Sequence, residues 1–240
     1  MADSYRSPGT LWGLGVGPGD PELITLKALK LLRASPVVAY PAPEDGPSLA
    51  RAIAAPHIAE GKVEIAIRMP LEAGRFPSEE VYDRAAATIA GHLEAGRDVA
   101  ALCEGDPFFY GSFMYLFARL AGRFGVEVVP GVSSLVACPA ALGAPLAARN
   151  DTLVVLPAPL PEERLRDRLR EVEAAAIIKV GRHLGKVRRV VDALGLMDRA
   201  RYVEHATMAG QRTCRLARLD ADAAPYFSMV LVHRRGEAWR

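Results

Sequence analysis

Three glycine-bearing runs in this 240-residue chain have the composition of loops that press backbone against a ligand. The first is Gly13-Leu14-Gly15-Val16-Gly17-Pro18-Gly19-Asp20, which follows an apolar start and lets backbone approach a ligand at the carboxyl end of a strand. It is no P-loop, because no Gly-Lys-Ser/Thr follows, and Pro18 stands where GxGxxG needs its third glycine. The acidic residue that would hold a ribose is also missing from Val38-Ala39-Tyr40-Pro41. A tight structural turn explains this run equally well. The second run is Glu104-Gly105-Asp106-Pro107-Phe108-Phe109-Tyr110-Gly111-Ser112. There Asp106 can accept hydrogen bonds from an amine or hydroxyl, and the aromatic side chains can wall a flat apolar ligand. The plainer alternative is that Asp106 caps the next helix while Phe108 and Phe109 fill core. The third run, Pro130-Gly131-Val132-Ser133-Ser134, offers two hydroxyls and the free amides of a helix start, which ordinary N-capping also explains.

Elements that would position these loops alternate along the whole chain. Strands are expected over residues 10–16, 36–40, 62–67, 98–102 and 126–129, the third with Val63, Ile65 and Ile67 pointing inward. Asp20 is expected to cap a helix with Pro21 in its first turn and Ile24, Ala28, Leu31 and Leu32 on one face. Further helices are expected over residues 78–94 and 113–120. The break at Pro130 sets a boundary between residues 1–129 and 130–240. Beyond it, residues 152–156, 175–180 and 201–205 read as strands. Residues 161–172 alternate acidic and basic side chains, as a solvated helix does. Residues 212–219 and 227–233 have no helix between them, which predicts an antiparallel pair in a mixed second sheet. The fold class is α/β, in two domains.

Composition narrows what such a fold could bind. Thirty basic and 28 acidic residues give a net charge of +2, too balanced for a field that gathers nucleic acid or a membrane surface. Cys103, Cys138 and Cys214 lack CxxC spacing, so neither a disulfide framework nor a thiolate metal site is expected, and a cytoplasmic setting fits. No histidine pair has HxxxH or HExxH spacing, and no metal requirement is expected. The polar start lacks a signal peptide's apolar core, and Pro139, Gly143 and Pro145 interrupt the weakly apolar residues 132–148 short of the ~20 a membrane helix needs.

Taken in order, Gly15-Val16-Gly17-Pro18-Gly19-Asp20-Pro21-Glu22-Leu23-Ile24-Thr25-Leu26-Lys27-Ala28, Gly105-Asp106-Pro107 and Pro130-Gly131-Val132-Ser133-Ser134 resemble the tetrapyrrole methylases, over nearly the whole chain. Tyr40-Pro41, the run from Glu104 to Ser112, Ile178-Lys179-Val180-Gly181-Arg182-His183 and Tyr226-Phe227-Ser228-Met229-Val230 resemble the branch that methylates C20 of precorrin-2 on the way to the corrin ring. The resemblance implies two αβα domains, S-adenosylmethionine in the cleft between them, and a homodimer. It places Pro18 beneath that donor, Gly105 and Asp106 along its pocket, Ser133 and Ser134 against it from the second domain, and Val180, Ala206 and Ser228 at further contacts. Val180 stands where related methylases carry methionine.

A sulfonium donor arrives activated, so positioning dominates the chemistry that this resemblance implies. Loss of the meso hydrogen after methylation could use a base, for which Glu104 and Tyr110 are the candidates, although water or the substrate itself could serve. A tetrapyrrole's acetates and propionates need cationic partners, for which Arg51, Arg75, Arg149 and Arg182 are candidates, with Tyr40 and His183 near the same strand ends. Other readings keep the chemistry but change the acceptor, to cobalt-precorrin-2 or uroporphyrinogen III. From another class come a Rossmann-type NAD(P) oxidoreductase and a non-catalytic binding module.

Overall fold

The computed structural model describes residues 7–69, 79–221 and 223–238. The chain divides into two compact units, residues 1–133 and 134–240. In the first, β1 (Leu11–Gly15) is followed by α1 (Leu26–Ala34), β2 (Val37–Pro43), α2 (Leu49–Ala54), β3 (Val63–Met69), α3 (Glu79–Glu94), β4 (Val99–Cys103), α4 (Phe113–Leu120) and β5 (Val126–Val129). The sheet order is β3-β2-β4-β1-β5, with every pairing parallel.

Strand alternation sends side chains to two separate cores. Leu14, Val38, Ala100 and Leu102 pack with Ile24, Ala28 and Leu32 around α1 and with Ile53 of α2 on one face. Leu11, Ala39, Val99 and Ala101 pack with Ile89 and Leu93 of α3 and Phe113 and Leu116 of α4 on the other. Burial on both faces is why these strands are apolar runs.

Two local expectations are corrected. Asp20 caps a single 3-10 turn, Pro21–Leu23, by accepting from the Glu22 amide at 2.8 Å, and Thr25 caps α1 itself by accepting from Ala28 N. Pro21 therefore opens that turn rather than α1. In β3, Ile67 is buried and Ile65 half-buried, but Val63 is 42% exposed at the start of this edge strand.

The second unit opens with α5 (Ser134–Leu142) and continues through β6 (Leu153–Pro157), α6 (Glu162–Arg170), β7 (Ala174–Ile178), α7 (Leu184–Ala193), β8 (Ala200–Glu204), β9 (Arg212–Arg215) and β10 (Ser228–His233). Its sheet runs β6-β7-β10-β8-β9, with β6 and β7 parallel and the other pairs antiparallel, so the sheet is mixed. The expected pairing of the last two strands is wrong: β8 lies between β9 and β10. All six residues of β10 are buried, which suits a central strand, whereas β9 is Arg-Thr-Cys-Arg and mostly exposed, which suits an edge. The solvated α6 buries only Leu165 and Leu169 and pairs Arg166 with Glu162 one turn away. Among the described residues, no helix is long and apolar enough to cross a membrane.

Candidate active site

In the first unit the chain leaves β1 toward α1 on one face of the sheet and leaves neighbouring β4 toward α4 on the other. Loops that diverge from adjacent parallel strands open a crevice at their carboxyl ends, and the glycine runs stand there. Gly17 and Gly105 stitch the two loops together: the Gly105 amide donates to the Gly17 carbonyl at 2.8 Å, and the Gly17 amide returns a bond to the Gly105 carbonyl at 3.4 Å. The turn after β5 closes against them. A Cβ on Gly131 would lie 2.0 Å from the Gly105 carbonyl oxygen and 2.7 Å from the Gly15 Cα, a contact that only hydrogen permits.

Asp106 holds this arrangement. One carboxylate oxygen accepts from the amides of Phe108 and Phe109 at 2.9 and 3.0 Å, and the other accepts from the Gly131 amide at 3.0 Å. Its bonds are thus to loop backbone. Phe108 packs edge-on to Phe117 of α4 at a centroid separation of 5.1 Å yet stays 48% exposed, so it is half core and half surface. Tyr110, with φ of +56°, is 46% exposed and meets Phe109 edge-on.

Glu104 opens the same loop, and its carboxylate accepts from the Ala50 amide of α2 at 3.2 Å. Burial pushes its carboxyl up from the ordinary value, against the opposing pull of its own amide and that of Ala50. Gly105, with φ of +63°, is open on one side: a Cβ there would meet nothing nearer than the Ser133 Cα at 3.8 Å. Pro18 lies beside the Gly17–Gly105 bridge, so Pro18, Gly105, Asp106 and Ser133 are gathered at one edge of this unit.

Ser134 opens α5 in the second unit. There Val180 and Ala206 follow the carboxyl ends of β7 and β8, and Ser228 begins antiparallel β10 between them, so all three share one sheet edge. Val180 is fully buried in the core, and Ala206 and Ser228 are 7% and 8% exposed. The 3-10 turn after Val180 presents Arg182 on the surface and His183 half-buried; burial, then Lys186 and Arg182, hold His183 below the usual imidazole range.

The expected carboxylate clamps are not equivalent. Arg51 is committed to Glu64 of β3 through a two-pronged pair at 2.9 and 3.0 Å, which leaves its fork occupied, so it is no ready clamp. Burial and the hydrogen bond its hydroxyl gives to Glu64 raise the pKa of Tyr40, which is drawn into the same cluster. Arg149 is exposed in left-handed backbone, φ +53°, and Arg75 lies outside the described residues. The sequence did not single out Lys179 and His205, which both take left-handed backbone at strand ends, φ +57° and +49°. Lysine carries no residue-type signal for that conformation, and histidine only a statistical enrichment that does not pick out one position.

Comparison with known proteins then decides the family. Residues 10–220 match the model of the tetrapyrrole (corrin/porphyrin) methylases. The chain is a tetrapyrrole methylase. The methylase is 44% identical to a precorrin-2 C(20)-methyltransferase of Sinorhizobium sp over 93% of this chain and 95% of that one. It is 45% identical to the cobalamin biosynthesis protein CobIJ of Mycobacterium bovis over 93% of its length, and spans 46% of that longer relative. A cobalt-precorrin-2 C(20)-methyltransferase of Salmonella typhimurium is 29% identical over 95% of this chain and 98% of its own. Among solved structures, a cobalt precorrin-4 methyltransferase superposes with a TM-score of 0.73 at 25% identity, covering 95% of the methylase and 96% of that chain. A uroporphyrin-III C-methyltransferase of Thermus thermophilus, complexed with S-adenosyl homocysteine, gives 0.69 at 26%, covering 93% and 97%. The oxidoreductase and binding-module readings give way to this family.

Proposed function

We propose that the methylase transfers a methyl group from S-adenosylmethionine to C20 of precorrin-2, giving precorrin-3A in corrin synthesis. The observation that carries this is near full-length similarity to the Sinorhizobium enzyme, 44% over 93% and 95% of the two chains. The metal-free acceptor is favoured over its cobalt form because identity to the Salmonella cobalt-precorrin-2 enzyme is lower, at 29%.

When bound, the donor supplies an electrophilic methyl on its sulfonium. The chain's own task is to hold polar groups of that donor on backbone and hydroxyls. In the first unit these are Gly105 and Ser133, with Pro18 against the donor's surface and Asp106 fixing the loop. The open side of Gly105 fits backbone-close binding. In the second unit they are Ser134 and the strand-end residues Ala206 and Ser228; buried Val180 shapes the turn from beneath.

Methylation at a meso carbon releases its hydrogen as a proton. Glu104 is assigned as acceptor, since burial raises its carboxyl toward the range where a carboxylate accepts and yields protons readily. Tyr110, exposed on the same loop, is the alternative acceptor of that proton; Arg182, on the surface, contacts the tetrapyrrole, and Tyr40 acts through the Glu64–Arg51 cluster. The working form is a homodimer in the cytoplasm, using no metal, which light scattering and metal analysis of the active enzyme would test. The decisive assay is anaerobic incubation with S-adenosylmethionine and precorrin-2, followed by mass spectrometry and NMR. One methyl added at C20 is expected; an unchanged mass, or a methyl elsewhere, overturns the reading.

A further inference from the structure

The loop before β10 exposes two large aromatic side chains, Tyr226 by 59% and Phe227 by 42%. Their rings meet edge to face, 5.2 Å between centroids. Such exposure is unfavourable by about 25 cal/mol per Å² of apolar surface, and a loose loop would relieve it by folding the rings away. This loop cannot do so freely, because its backbone is pinned. Ala224 N donates to the Gly181 carbonyl at 3.3 Å, on the turn after β7, and the Phe227 carbonyl accepts from His205 N at 2.9 Å, on the turn after β8. Ser228 tightens it from within, its amide donating to the Tyr226 carbonyl at 2.9 Å and its hydroxyl to the Pro225 carbonyl at 2.6 Å.

The two turns that grip the loop also contain the left-handed residues Lys179 and His205, one on each side of β10. Left-handed backbone at non-glycine residues costs of order 1–3 kcal/mol and concentrates where a chain must present a side chain in a set place. A rigid pair of aromatic faces with a donor-bearing residue on either flank matches one kind of ligand: flat and apolar at its centre, anionic at its rim.

We propose that Tyr226 and Phe227 form the platform on which one face of the tetrapyrrole acceptor rests, with Lys179 and His205 taking rim carboxylates on its two sides. This rests on the reading of the chain as a tetrapyrrole C-methyltransferase. Donor binding is left to other groups, so the platform separates recognition of acceptor from recognition of donor.

The probe is sirohydrochlorin, the oxidised and more nearly planar relative of precorrin-2 with the same carboxylates, titrated by absorbance and tyrosine quenching. The double variant Tyr226→Ala/Phe227→Ala is expected to bind it about tenfold more weakly, the scale of losing aromatic stacking. Tyr226→Phe should retain affinity, and Lys179→Gln should lose about threefold with a shallower dependence on salt. Affinity for S-adenosyl homocysteine should stay unchanged in all three, and the Tm in the double variant and Tyr226→Phe, whose altered side chains are exposed. Unchanged sirohydrochlorin affinity in the double variant overturns the proposal. So does a parallel loss of S-adenosyl homocysteine binding, or a shift from dimer to monomer with affinity intact, which would make the rings an interface between copies. The functional reading fails separately, through absent methyl transfer to precorrin-2 by the unaltered enzyme, whatever the binding titration gives.

Discussion

The backbone amide of Gly131 donates to the carboxylate of Asp106 across 3.0 Å, tying the turn after β5 to the loop after β4. The same carboxylate fixes Phe108 and Phe109 through their amides, so one side chain organises two of the three glycine loops. Asp106→Ala removes all three bonds, each to an ionised acceptor, and should cost about 2–3 kcal/mol in chemical denaturation. Asp106→Asn keeps one oxygen and should cost about half of that. Affinity for S-adenosyl homocysteine, read by calorimetry, should fall in the same order. Lost affinity with stability intact in Asp106→Ala would instead mean that this carboxylate meets the ligand directly.

Gly131 faces backbone, not a yielding side chain, and a Cβ there would sit 2.0 Å from the Gly105 oxygen. Gly131→Ala should therefore destabilise the protein by about 3 kcal/mol and abolish donor binding, as overpacking against rigid structure does. Gly210, where a Cβ meets nothing within 4 Å, is the matched control, and Gly210→Ala should change neither quantity. Equal behaviour of the two variants in denaturation would refute the close-packed turn.

Most of the strands could be read from sequence because burial on both faces makes them unbroken apolar runs, and the glycine loops because they sit at strand ends. Partnerships across the fold were not legible. The β9 and β10 runs are neighbours in sequence, yet β8 separates them, since a fully apolar strand and an arginine-bearing one need different places in a sheet. Arg51 of α2 looked available for a substrate carboxylate, but the fold brings Glu64 of β3 to its guanidinium. Glu104 meets the amide of Ala50, 54 residues earlier, a contact that local pattern does not encode. Thr25 rather than Asp20 caps α1 because the chain spends one 3-10 turn before the helix, a choice between two good caps.

Lys62 supplies a prediction unrelated to the site. Its ammonium donates to the carbonyls of Leu32 and Arg33 at 3.0 Å each, and to that of Ser35, capping the carboxyl end of α1. Lys62→Met keeps the apolar stem and deletes the cap, so it should cost about 1–2 kcal/mol. Hydrogen exchange should rise selectively at the amides of the last turn of α1. Protection equal to the unaltered protein would mean that the cap contributes nothing.

Acid stability should depend on Asp151, whose carboxylate accepts from His233 Nε2 at 3.0 Å, from the Ala148 amide at 2.8 Å and from Arg235 at 2.7 and 2.8 Å. These partners, His233 first, hold its carboxyl at about 2 against an ordinary 3.8. The unfolded chain then takes up a proton before the folded one does. The contribution is complete above pH 3.8 and disappears as pH falls toward about 2. Asp151→Asn should lower urea stability at pH 7 and flatten the acid limb in that window; an unchanged limb would place the lost stability elsewhere.

Glu104 reverses that sign and bears on catalysis. Burial raises its carboxyl above the ordinary 4.5, so the folded state holds the proton more tightly than the unfolded chain. Its effect is thus most favourable below pH 4.5 and declines as pH rises through the raised value. Glu104→Gln keeps an oxygen for the Ala50 amide but cannot ionise, so the decline should vanish from a pH series of urea midpoints. If the same carboxylate also accepts the C20 proton, kcat should drop about 100-fold with little change in KM, and the low-pH limb of the kcat profile should go with it. A variant that loses the stability decline but keeps kcat would leave Glu104 as a buried tie between β4 and α2, and would move the proton to another acceptor.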